Sequence, residues 1–155
     1  RRPANLPKSI VSAEAYEIHQ ELLATGRDLY DPHIATRLDA GADIPAHDYI
    51  AMHRDRADLC ARVAAITRPF DALVLPTTPA TPLPIDGLEE VDARLSASAR
   101  ALRNTALSNY LDRPTITIPC HAPGAVPTGL SLIGSRHHDR RLLAIAAGLE
   151  ALIRS

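Results

Sequence analysis

Between Asn104 and Gly134 the chain carries two short β-branched, apolar runs, Thr115 to Ile118 and Leu130 to Ile133, and each is closed by proline or glycine at both ends. Pro114 and Pro119 bracket the first, and Gly129 and Gly134 the second. Bounded runs of this length read as strands, too short for helices. A third run, Asp71 to Leu75, leads straight into Pro76-Thr77-Thr78-Pro79-Ala80-Thr81-Pro82-Leu83-Pro84, and four prolines in nine residues make a stiff extended loop. Continuously apolar strands are expected to be covered on both faces. Three of them make a small sheet for the helices around it, so they are expected to contribute to a larger sheet completed by further polypeptide.

The rest of the chain reads as helices. A first helix is expected from Ser12, with Ser12 or Ser9 as cap, Ala15, Ile18, Leu22 and Leu23 on one face, and Gly26 as its stop. Asp31 then caps a short helix with Pro32 in its first turn and Ile34 and Leu38 one turn apart, ending before Gly41. Pro45 opens the longest pattern, with Tyr49, Met52, Leu59, Val63 and Ile66 on one face, and it must stop before Pro69. Glu89 to Leu111 carries good helix formers, including Val91, Leu95, Leu102 and Leu107, with a break expected near Asn104. His138 or Asp139 starts a last helix with Leu142, Leu143, Ile145, Ala146 and Leu149.

Composition narrows the partners more than the fold. Phe70 and four tyrosines are the only aromatic residues, so any core is aliphatic. The 17 basic and 18 acidic residues leave a formal net charge of −1 and no basic field for nucleic acid or an anionic membrane. No apolar run approaches the roughly 20 residues of a membrane span. Cys60 and Cys120 form no CxxC pair, which points to a reducing compartment, the cytoplasm. The start without methionine, and without an apolar leader core behind Arg1 and Arg2, is expected of a fragment or processed chain.

Residues that could carry chemistry are scattered. None of the eight serines lies in a glycine-rich turn or a G-x-S-x-G elbow. Lys8 is the only lysine, and its neighbour Ser9 reads as part of a solvated entry segment. Gly124 and Gly129 have phosphate-loop spacing, but Leu130 stands where lysine is required. His137, His138 and Asp139 are adjacent, and the other five histidines lack ligand spacing, so neither metal nor cofactor is expected. Asn104 and Asn109, just before a buried strand, can satisfy loose backbone groups. Arg37, near Asp31 and Asp39, reads either as a surface ion pair or as a fork for a carboxylate.

Taken in order, Asp71 to Pro79, then Asn104-Thr105 and Asn109, then Pro114 to Cys120, then Pro127 to Gly134, and a closing helix to Leu149-Glu150 resemble the C-terminal part of the amidase signature family. Tyr30-Asp31-Pro32, Arg37-Leu38, Asp48-Tyr49 and Arg56 upstream fit the same order. The resemblance covers nearly the whole chain. It implies an α/β fold in which residues 1–155 are one C-terminal segment without an internal boundary, helices packed on strands of a larger mixed sheet.

The activity implied is hydrolysis of a carboxamide C–N bond by a Ser, cis-Ser, Lys triad, with backbone N–H groups of a glycine- and serine-rich loop holding the oxyanion. That apparatus belongs to the family's N-terminal portion, so no catalytic residue is expected in this chain, and the segment alone is expected to be inactive. Its partners would be a small-molecule amide and the N-terminal portion of its own chain, and a homodimer is allowed. The resemblance places Thr77 and Thr78 at the substrate pocket and matches Arg37 to an arginine that holds a substrate carboxylate in the glutamine-using branch. That branch's aspartate falls on Leu102 here, which argues against glutamine. His121 and Asp112 stand where glycines are common, and imply a different loop course. The alternative is a free-standing, non-catalytic interaction or scaffold module derived from the same fold.

Overall fold

The computed structural model describes residues 9–86 and 90–153. Lys8 and Glu89, both named above, lie outside the described residues. The chain divides into two compact units, Arg1–Asp58 and Leu59–Ser155.

In the first unit, helix α1 (Ile10–Gly26) is capped by Ser9, whose hydroxyl accepts from the Ser12 N–H at 3.1 Å. A 3-10 turn (Arg27–Leu29) leads to α2 (Pro32–Asp39), where Asp31 accepts from the His33 N–H at 2.8 Å and proline occupies the first turn. Leu23, Ala35 and Leu38 form the core here, with Ala15, Tyr16 and Tyr30 packed against it. The stripe expected on α1 is therefore rotated by about a residue: Ile18 and Leu22 are 71% and 58% exposed, as is Val11 at 72%. The reason is partner geometry. At about 100° per residue, Ala15, Tyr16 and Leu23 face α2, and the neighbouring stripe cannot face it too. His19 Nδ1 lies 2.8 Å from the Tyr30 hydroxyl, and the Tyr49 hydroxyl donates to Glu14 at 2.9 Å, which raises the phenol's pKa.

Helix α3 (Ala46–Thr67) ends two residues before Pro69 and carries the division between Asp58 and Leu59. The second unit is built on three antiparallel strands in the order β1-β3-β2, where β1 is Leu73–Pro76, β2 Thr115–Pro119 and β3 Gly129–Ile133. Helix α4 (Val91–Tyr110) joins β1 to β2 and runs unbroken through Asn104, so the expected break is absent. The Asn104 side chain does not compete with its own helix backbone, because it bonds elsewhere. Helix α5 (Asp139–Ile153) packs Leu142, Ala146 and Leu149 on Ile116, Ile118 and Leu132, the residues of one sheet face. Period-two alternation sends Thr117 and Ser131 to the other face. There the covering is incomplete. Ser131 and Ile133 are buried, while Thr115 and Thr117 are exposed.

Candidate functional site

The open sheet face gathers hydroxyls. Backbone pairing of β1 with β3 continues one residue past the strand, since the Thr77 N–H donates to the Gly129 carbonyl at 2.8 Å. That register sets the Thr77 side chain beside Ser131 on the central strand and Thr117 on the far one. Thr77 Oγ1 donates to Thr117 Oγ1 at 3.2 Å and lies 2.8 Å from Ser131 Oγ, and Thr117 Oγ1 lies 3.1 Å from Ser131 Oγ. Strands β2 and β3 and the residue that follows β1 thus each bring one hydroxyl to a triangle. Ser131 is buried, Thr77 half-buried and Thr117 exposed. Gly129 makes the room: a Cβ there would meet Thr117 Cγ2 at 2.7 Å and Thr77 Oγ1 at 2.8 Å.

Thr78 turns away from this triangle. Its hydroxyl donates to the Ala80 carbonyl at 3.0 Å, and the residue lines a cleft of about 430 Å³ between the proline-rich loop and α4, with Leu83, Arg94, Ser98, Arg100 and Pro127 on its walls. Thr77 is not on that lining, so the two threonines serve different surfaces. The loop itself is tied to α4 by Asn104, whose Nδ2 donates to the Pro76 carbonyl at 2.7 Å. This is the backbone-satisfying role expected of an asparagine at this place.

Arg37 lies in the first unit, exposed on the last turn of α2. The ion pair offered by its sequence neighbours is taken elsewhere: Asp39 accepts both terminal nitrogens of Arg27, at 2.6 and 3.1 Å. That hydrogen bond raises the Arg27 pKa further, and Asp31 serves as the α2 cap. Among the described residues Arg37 itself makes no ion pair, which leaves its fork available to a ligand carboxylate.

The two departures at glycine positions have separate outcomes. Asp112 adopts φ +55° just after α4, the left-handed backbone that glycine takes freely and aspartate tolerates, so no new course is required there. His121 acts as a clasp: its Nδ1 accepts from the Thr128 N–H at 3.2 Å across the β2–β3 hairpin, whose tip turns at Ala122-Pro123-Gly124-Ala125 with Gly124 at φ +80°. Among the described residues no three His, Cys, Asp or Glu side chains come together as metal ligands, and both thiols are free. No described helix is long and apolar enough to cross a membrane.

In the sequence, Thr117 and Ser131 read as strand residues only. The sign available was a lone hydroxyl within an apolar strand, Gly129-Leu130-Ser131-Leu132-Ile133, and a second at the period-two position of Thr115-Ile116-Thr117.

Comparison with known proteins gives a consistent picture. A family model described as Amidase matches residues 4–143. The chain is 31% identical over 140 residues to the 2-amino-5-chloromuconic acid deaminase of Comamonas testosteroni, covering 84% of this chain and 30% of that protein. It is 30% identical over 116 residues to an amidase of Pseudomonas putida, covering 72% of this chain and 24% of the relative. A crystal structure of an amidase superposes with a TM-score of 0.73 at 25% identity, over 92% of this chain and 33% of that one. The chain spans less than a third of the length of these curated relatives.

Proposed function

Since the chain belongs to the amidase family, we propose that it is the C-terminal segment of a carboxamide hydrolase, supplying sheet strands and part of the substrate pocket to a catalytic portion that lies outside it. In the complete enzyme a serine attacks the amide carbonyl, a second serine in a cis peptide relays the proton, and a lysine is the base. Backbone N–H groups of a glycine- and serine-rich loop stabilise the oxyanion, and water releases the acyl group. The observation that carries this reading is the match of nearly the whole chain to less than a third of its relatives. The exposed apolar stripe Val11, Ile18 and Leu22 supports it, since a self-sufficient module has little reason to leave such a face open.

The 155-residue chain alone is expected to release no ammonia from carboxamides above background, while the complete protein turns them over. Hydrolysis by the segment alone would overturn the proposal. A monomeric, cooperatively melting segment encoded as a full gene product, with no Ser-Ser-Gly region in the gene, would instead establish the scaffold module.

Within this reading, Thr77 and Thr78 are each proposed to meet substrate in the complete enzyme, from the separate surfaces described above, and Arg37 to hold a substrate carboxylate. Arg37→Ala in the complete enzyme is expected to raise KM for a carboxylate-bearing amide by about 10- to 100-fold, the loss of a charge-assisted hydrogen-bonded pair of roughly 1.5–3 kcal/mol. The neutral analogue should change little. Equal changes for both would make Arg37 a structural residue.

A further inference from the structure

We propose that the second unit holds an oxyanion site, at Arg68 and Arg113, that takes a doubly charged phosphate group, free or as a phosphomonoester. The site is separate from the Thr77 surface and does not depend on the hydrolase reading.

A cavity of about 350 Å³ opens where the chain leaves α3, enters β1 and β2, and passes from β3 to α5. Strands β1 and β2 both run antiparallel to β3, so their beginnings meet the end of β3 at one end of the sheet. Thr77 follows β1 and sits at the opposite end, about 15 Å away along strands of four or five residues. The volume suits a small ligand.

Charge singles this cavity out. Over the whole chain 17 basic and 18 acidic residues nearly cancel, yet the lining brings together Arg68, Arg113, Arg136 and Arg141 with one carboxylate, Asp71. Two of the four charges are met: Arg141 pairs with Asp71, and Arg136 Nε lies 2.7 Å from Asp112 Oδ2. Arg113 donates from Nη2 to the neutral Thr67 hydroxyl at 2.8 Å, and that hydroxyl spends its own proton on the Val63 carbonyl at 2.7 Å. Thr67 is buried, so the bond fixes the half-buried Arg113 fork and leaves its other N–H groups to donate. Arg68 follows Thr67 directly. Among the described residues neither Arg68 nor Arg113 makes an ion pair. Two uncompensated guanidiniums on one hollow match the charge of about −1.5 to −2 that a phosphate ester carries near neutral pH, and the planar fork matches its oxygens. A monocarboxylate would leave one guanidinium unmet, and a neutral ligand both.

In the complete protein, inorganic phosphate titrated by calorimetry at fixed ionic strength is expected to bind saturably, with a Kd of about 1 mM or tighter. Arg68→Gln removes a side chain that has no ion pair to lose, and should weaken binding about tenfold or more. Arg113→Gln should do the same, and the double variant should bind none; if Arg113→Gln does not fold, Arg68→Gln decides. Arg62→Gln takes the same charge from an exposed position on α3 outside the cavity, and should change Kd by less than about twofold. Phenyl phosphate separates the two sources: binding at least as tightly as phosphate assigns the site to an ester, and binding of phosphate alone assigns it to the free ion. No saturable binding up to about 20 mM would overturn the site. So would equal weakening by Arg62→Gln and Arg68→Gln, because the attraction would then belong to net charge and not to this cavity.

Discussion

Gly41→Ala is expected to destabilise the first unit by more than about 3 kcal/mol, at the upper end for a single added methyl group. A Cβ at position 41 would lie 1.9 Å from the Ser12 carbonyl oxygen, 2.5 Å from its carbonyl carbon and 2.7 Å from Tyr16 Cβ. The two nearest atoms are backbone of α1, and no rotamer change can move them. Relief requires α1 to back away from the turn after α2, which pulls Ala15, Tyr16 and Leu23 off Ala35 and Leu38. Hydrogen exchange of the α1 and α2 amides, with urea melts, reads the loss. Gly148→Ala is the matched control: nothing lies within 4 Å of its Cβ in the interior of α5, so the substitution should stabilise by about 0.5–1 kcal/mol. A Gly41→Ala protein melting within about 1 kcal/mol of the parent would show that α1 and α2 do not pack this closely.

The second large effect is at the centre of the sheet. Leu132 is 2% exposed on β3, with strands paired on both sides, and contacts Ile118, Leu142 and Ala146. Leu132→Ala removes apolar contact and leaves a cavity whose walls, two strands held in register by β3 and one helix, cannot easily collapse. A loss of about 3–5 kcal/mol is expected in denaturant melts. Val74, its register partner on β1, is 58% exposed, so Val74→Ala should cost less than about 1 kcal/mol. Equal losses at both positions would mean that α5 is not what covers this face.

Local chemistry made much of the fold legible. The strands begin and end at Pro114, Pro119, Gly129 and Gly134 because proline and glycine limit backbone choice wherever they occur. Helix starts at Ser9 and Asp31 follow from side chains that satisfy free N–H groups two or three residues ahead. What the sequence hid depends on partners far along the chain. Ile18 and Leu22 are more hydrophobic than the packed Ala15 and Tyr16 and lie about one residue's rotation away, so only the position of α2 decides between the stripes. The continuity of α4 through Asn104 turns on the Pro76 carbonyl, 28 residues away. The hydroxyl triangle needs strand order and register, which no local pattern encodes. Arg37, Thr77 and Thr78 came from family resemblance, and the structure adds which groups compete for each.

The peptide group between Pro76 and Thr77 is gripped at both poles. Its carbonyl receives the Asn104 amide at 2.7 Å from α4, and its N–H reaches the Gly129 carbonyl at 2.8 Å on β3. Rotating this plane would strand both dipoles at once, so it behaves as a rivet between a helix and a strand. The first polar side chain of the proline loop therefore inherits the rigidity of two regular elements, although it sits outside both, and any ligand group it meets finds it already aimed.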